Sequence, residues 1–205
     1  MDGTFDFMSP EQVSSPARSM QSSLIKFEQW LQAPNSPIRA IRSQPAKEGE
    51  YIDLPAQLNP TLRQVLEGRG IARLYTHQAM AFELCEQRRN FVVVTPTASG
   101  KTLCYNLPVL NRLLQDAAAR AIYLFPTKAL AEDQLHELQS VVDAIRSEIR
   151  VFTYDGDTPQ DARKAIRGRA NVILTNPDML HSGILPHHTK WAKCFENLRY
   201  VVIDE

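Results

Sequence analysis

The sequence predicts an α/β fold, a parallel sheet with helices on both faces. Three observations carry this. Apolar runs of strand length recur at residues 91–94, 121–125, 151–154, 171–174 and 200–203, with helical patterns between them. The runs are continuous instead of alternating, as in strands covered on both faces. Each run ends in a polar or turn-forming cluster, and in parallel sheets ligands bind beyond those carboxyl ends.

Residues 1–17 are polar and turn-rich and are expected to be disordered. Met20, Leu24, Phe27 and Leu31 then recur at helical spacing, with Trp30 beside them, in an amphipathic helix that stops before Pro34. Pro34, Pro37 and Pro45 punctuate a linker to Glu50 that carries Arg39, Arg42 and Lys47. A solvated linker explains those charges better than a phosphate-contacting arm. The domain reading is therefore an N-terminal extension over 1–50 and one α/β domain over 51–205.

Pro60 opens a short helix with Leu62, Val65 and Leu66 inward, ended by Gly68 or Gly70. Thr76 can cap the next helix, which runs to about Arg89. A helix over 103–115 contains Pro108, which should kink it or break its ladder. The helix after Lys128 turns Leu130, Leu135, Leu138, Val142 and Ile145 to one side. Residues 155–159 read as a turn, and Pro159 starts another helix.

Composition bounds the function. With 205 residues and 43% hydrophobic content the chain can build a real core. Formal net charge is zero, so any nucleic-acid contact must be local instead of driven by a global basic field. Cys85, Cys104 and Cys194 are odd in number and far apart, a pattern that fits a reducing compartment. No apolar run approaches the roughly 20 residues that span a bilayer. His187 and His188 are adjacent and point apart, with no third ligand evident, so a metal site there is not expected.

The chemistry centres on residues 91–102. Val92, Val93 and Val94 read as a buried strand, and Ser99, Gly100, Lys101 and Thr102 close a loop of the G-x-x-x-x-G-K-[ST] kind, with Thr95 in place of the first Gly. The backbone N–H groups of such a loop, Thr97 and Ala98 included, cradle phosphate oxygens at a helix N-terminus. Lys101 would neutralise the β- and γ-phosphates and the Thr102 hydroxyl would ligate Mg2+. A Ser/Gly turn capping a helix would explain this loop taken alone. The second motif is Asp204-Glu205, directly after the apolar run 200–203. Asp204 would hold Mg2+ and Glu205 would polarise the attacking water. A lone acidic pair is usually a solvated strand end; the joint pattern points to nucleotide hydrolysis. Upstream, Gln78 carries two donors and an acceptor in one amide, enough to read adenine, although a surface helix residue fits it equally.

Residues 50–205 resemble the superfamily 2 helicases of DEAD/DEAH-box type. Residues 74–78, with Tyr75 and Gln78, are similar to the adenine-recognising Q motif, and 95–102 to motif I. Residues 126–131 are close to motif Ia, 155–157 to a Gly-containing turn near the nucleic-acid backbone, 175–178 to motif Ib, and 204–205 to the start of motif II. Residues 75–78, 95–102, 154–159 and 176–181 look closer still to the YprA-like, RecQ-related DNA-repair helicases. The resemblance implies a RecA-like domain that uses ATP and Mg2+ and moves 3′ to 5′ on single-stranded DNA, which is favoured over RNA. It implies sugar-phosphate contacts from Pro126, Thr127, Lys128, Gly156, Thr175, Asn176 and Asp178. Taken singly, helix capping or solvation suits these residues as well. It also implies a later strand between those of motifs I and II, carrying motif III, and a second RecA-like domain. The 205 residues are thus expected to be an N-terminal fragment, intracellular, cytoplasmic in a bacterium and nuclear in a eukaryote. The alternative is a module that binds nucleotide or nucleic acid without turnover.

Overall fold

The computed structural model describes residues 16–31, 33–34 and 49–204. The expectations for residues 1–15, for the linker charges Arg39, Arg42 and Lys47, and for Glu205 lie outside the described residues. The chain divides into two units at residues 48 and 49. The first contains helix α1 (Pro16–Leu31), on which Leu24, Ile25, Phe27 and Trp30 are exposed.

The second unit opens on a hairpin that the sequence did not signal. Strands β1 (Tyr51–Asp53) and β2 (Arg73–Tyr75) pair antiparallel, with Tyr51 opposite Tyr75. Between them lies α2 (Pro60–Gly68), capped by Asn59, whose side chain accepts from Thr61 N at 2.9 Å. Helices α3 (Thr76–Glu86) and α4 (Lys101–Gln115) follow. α4 runs through Pro108, which is buried, so the expected break does not occur. Losing one ladder bond is tolerable where the surrounding face is packed into a core.

The main sheet is parallel and four-stranded, in the order β4 (Val151–Thr153), β5 (Val172–Thr175), β3 (Arg120–Leu124), β6 (Leu198–Ile203). The two faces of β3 and β5 feed different cores. Ala121, Tyr123, Val172 and Leu174 pack with Leu107, Leu110 and Leu113 of α4 and with Leu138, Val142 and Ile145 of α5 (Lys128–Ile145). Ile122, Leu124 and Ile173 face the other way, against Ile166 of α6 (Gln160–Arg169), Ile184, Trp191 and Cys194. The helical stretch that supplies the last three begins with α7 (Pro177–Met179), passes through π and 3-10 turns to Trp191, and ends in α8 (Ala192–Glu196). Helices on both faces of a parallel sheet are the layers that the sequence predicts.

One predicted strand is absent. Residues 89–96 form no strand, and Val92 and Val94 are 87% and 90% exposed. A strand is stable only when its N–H and C=O groups find a ladder. Among the described residues none pairs with this segment, nor with the outer edge of β6, where Val201 and Ile203 are also exposed. β-Branched composition alone does not supply a partner.

Candidate nucleotide and nucleic-acid site

The loop before α4 is held in its shape by its own residues and by α3. Ala98 and Gly100 take left-handed backbone conformations, φ +60° and +76°. Thr95 Oγ1 lies 2.6 Å from Ser99 Oγ. The Lys101 ammonium donates to Thr95 O at 3.0 Å and Pro96 O at 3.2 Å, so it sits over the hollow of the loop. Thr97 and Ala98 are exposed at its tip. The left-handed φ at Gly100 disfavours any side chain there, and a Cβ would also come within 2.6 Å of Gln78 Nε2.

Gln78 is buried instead of lying on the surface. Its Oε1 accepts from Tyr75 N at 3.0 Å, satisfying the backbone N–H of the residue that caps α3, and its Nε2 donates to Gly100 O at 2.9 Å. The cap is therefore Tyr75, not Thr76, which is the first helical residue. His77 Nε2 lies 3.0 Å from Ser99 O, a second tie between α3 and the loop. Tyr75 stacks on Tyr51 and on His77, with ring centroids 4.8 and 5.6 Å apart. This places an exposed aromatic surface beside the loop; the sequence had given no role to Tyr51 or His77.

Asp204 leaves the end of β6, its N–H donating to Leu124 O at 3.1 Å. Its carboxylate accepts from the Tyr105 hydroxyl at 2.9 Å. Tyr105 stands on α4 one turn beyond Thr102. Burial pushes the Tyr105 phenol well above its ordinary pKa; the neighbouring Thr102 hydroxyl opposes that rise and Asp204 adds to it. Asp204, one of the two expected Mg2+ ligands, is thus tied to the helix that carries the other, Thr102. Their donor set fits the ion, since Mg2+ takes one or two protein oxygens and keeps water or phosphate oxygens for the rest. No described group of three or more His, Cys, Asp or Glu residues could cage a metal.

The residues expected at nucleic acid gather at the ends of β3, β4 and β5. Thr127, Lys128, Asp155, Thr175 and Asn176 line a shallow, open hollow. Their side chains are largely committed. Thr127 caps α5 by accepting from Leu130 N at 3.2 Å, and Asn176 caps α7 by accepting from Met179 N at 2.7 Å. Thr175 departs from its expected role. Its hydroxyl is buried and donates to Tyr154 O at 2.6 Å, so it faces the sheet and not a phosphate. Lys128 is exposed and pairs with Asp157, with Asp155 4.0 Å away. The Lys128 ammonium titrates above its ordinary value, chiefly through the Asp157 bond. Pro126, Gly156 and Asp178 are exposed nearby in sequence but do not line the hollow.

Comparison with known proteins gives the family and the fold. Residues 75–205 match the DEAD/DEAH box helicase family, and the chain belongs to that family. It is 53% identical over 159 residues to the ATP-dependent helicase YprA of Bacillus subtilis, covering 78% of this chain and 21% of the relative. It is 41% identical over 169 residues to the ATP-dependent helicase hrq1 of Schizosaccharomyces pombe, covering 81% and 16%. The crystal structure of the DUF1998 helicase MrfA bound to DNA and AMPPNP superposes with a TM-score of 0.76 at 53% identity, over 78% of this chain and 22% of that one. The fold is therefore RecA-like, and the chain spans about a fifth of the length of these relatives.

Proposed function

We propose that this chain is the nucleotide-binding part of an ATP-dependent helicase or translocase that acts inside the cell on single-stranded DNA in preference to RNA. The carrying observation is a phosphate-type loop with the Lys101 ammonium folded over it, followed by a helix whose Tyr105 is hydrogen-bonded to Asp204, 99 positions along the chain. Lys101 binds and orients the β- and γ-phosphates, and the α4 N-terminus adds its backbone N–H groups. Thr102 and Asp204 would hold Mg2+, which would supply neutralising charge to the phosphates. Glu205 acts as the base toward water. Gln78 and the Tyr51–Tyr75 surface meet the adenine. Thr127, Lys128, Asn176 and the backbone around Gly156 and Thr175 meet sugar-phosphate, which positions a strand without reading its sequence. The DNA- and AMPPNP-bound relative supports this assignment.

A second reading, a nucleotide-binding module without turnover, is favoured by one observation: among the described residues nothing covers the outer edge of β6 or Val92 and Val94.

Isothermal titration of the 205-residue chain with Mg2+ and AMPPNP tests the shared core of both readings. Lys101→Ala removes charged hydrogen bonds worth about 1.5–3 kcal/mol, so affinity should fall about 10–100-fold. Equal affinity in wild type and variant would remove the phosphate-loop assignment.

A further inference from the structure

Tyr105 belongs to none of the motifs that the sequence singles out, yet its hydroxyl donates to Asp204, one of the two residues expected to hold the metal. We propose that Tyr105 is a positioning residue for Mg2+, its hydroxyl orienting the carboxylate of Asp204 toward the cation. The inference rests on the nucleotide reading above and adds to it a residue that acts through a ligand.

The geometry is specific. Thr102 and Tyr105 are three apart on α4 and share a helix face. Asp204 comes from the end of β6, 99 residues along the chain, and its Oδ2 accepts from Tyr105 at 2.9 Å. The ring cannot swing freely, because it packs edge-on against Tyr123, centroids 5.4 Å apart at 84°. Tyr123 is itself buried and donates to Asn106 Oδ1 at 3.0 Å. The other candidate acceptor for the Tyr105 proton, Gln134 Oε1, is farther, at 3.3 Å. A phenol has one proton, and the carboxylate takes it more strongly than an amide oxygen does.

Tyr105 donates its one proton to Asp204 Oδ2. The second oxygen of Asp204 is left free, and the carboxylate is held in one rotamer. Groups that orient ligands in this way typically change metal affinity by about 10–100-fold when removed.

The test is a titration of Mg2+ into the 205-residue chain with a fluorescent ATP analogue, in wild type, Tyr105→Phe, Gln134→Ala and Lys101→Ala. Tyr105→Phe keeps the ring and its packing on Tyr123. It should raise the Mg2+ concentration for half-maximal tight binding about 10-fold and leave analogue affinity in EDTA within twofold of wild type. Gln134→Ala should leave the Mg2+ dependence unchanged, which separates metal positioning from a general loosening of the α4–α5 contact. Lys101→Ala should weaken the analogue with and without Mg2+. A Tyr105→Phe curve that overlays the wild type, with Lys101→Ala still defective, overturns the positioning role and spares the nucleotide reading. Equal weakening of Tyr105→Phe with Mg2+ and with EDTA also overturns it, since that is the signature of a structural role. A wild-type chain that binds no analogue overturns both.

Discussion

Gln78 shows how one side chain carries two duties. Its amide satisfies the N–H of the residue that caps α3 and reaches across to Gly100 O, yet Nε2 retains a second hydrogen and Oε1 a second lone pair. Contact with adenine and the tie to the loop are therefore compatible. Gln78→Ala leaves Tyr75 N and Gly100 O without that partner, so the unfolding free energy should fall by about 1–3 kcal/mol in a urea titration. The same variant should lose more affinity for ATP than for GTP. Equal losses for the two nucleotides would leave Gln78 the structural tie alone. The sequence made Gln78 conspicuous through its place ahead of the loop. It did not show the bond to Gly100, because contacts 22 residues apart are made by packing α3 against α4 and not by local pattern. Tyr105 was hidden for the opposite reason: an aromatic on a buried helix reads as core, and only the hydroxyl's partner separates it from one.

At the scale of the element, β5 shows why a motif residue does not always face its ligand. Thr175 ends the strand, and its hydroxyl ties β5 to the carbonyl of Tyr154 beyond β4. Thr175→Val keeps the shape and strands that buried carbonyl, so stability should fall by about 1–3 kcal/mol while affinity for fluorescein-labelled oligo-dT stays within twofold. A stable variant with weakened DNA binding would restore the phosphate contact expected from the sequence. Strands β3 and β5 were legible because their apolar runs are buried on both faces. Residues 92–94 send the same signal and form no strand. A run of valines reports what a segment could bury, whereas a strand also needs a neighbour, and that lies elsewhere in the chain. The β1–β2 hairpin was missed for want of length, since three residues carry no periodicity.

Over the whole second unit, the design is one rim. The ends of β3, β5 and β6 present Thr127 and Lys128, Asn176, and Asp204, and Tyr105 of α4, the helix that follows the phosphate loop, is bonded to Asp204. Lys128 is exposed at this rim, but its charge is offset there by Asp155 and Asp157, so a polyanion meets it only in competition with those carboxylates. The layer order and the rim were readable from strand-helix alternation, which fixes where carboxyl ends fall. The central claim is that a nucleotide's phosphates sit in the loop at residues 95–102. Hydrogen–deuterium exchange of the 205-residue chain, with and without Mg2+ and AMPPNP, tests it directly. Peptides covering 95–105 should exchange more slowly on addition of the nucleotide, through the backbone N–H groups that turn toward phosphate, and Lys101→Ala should abolish that protection. Unchanged exchange over 95–105 in a sample with bound nucleotide would contradict the account.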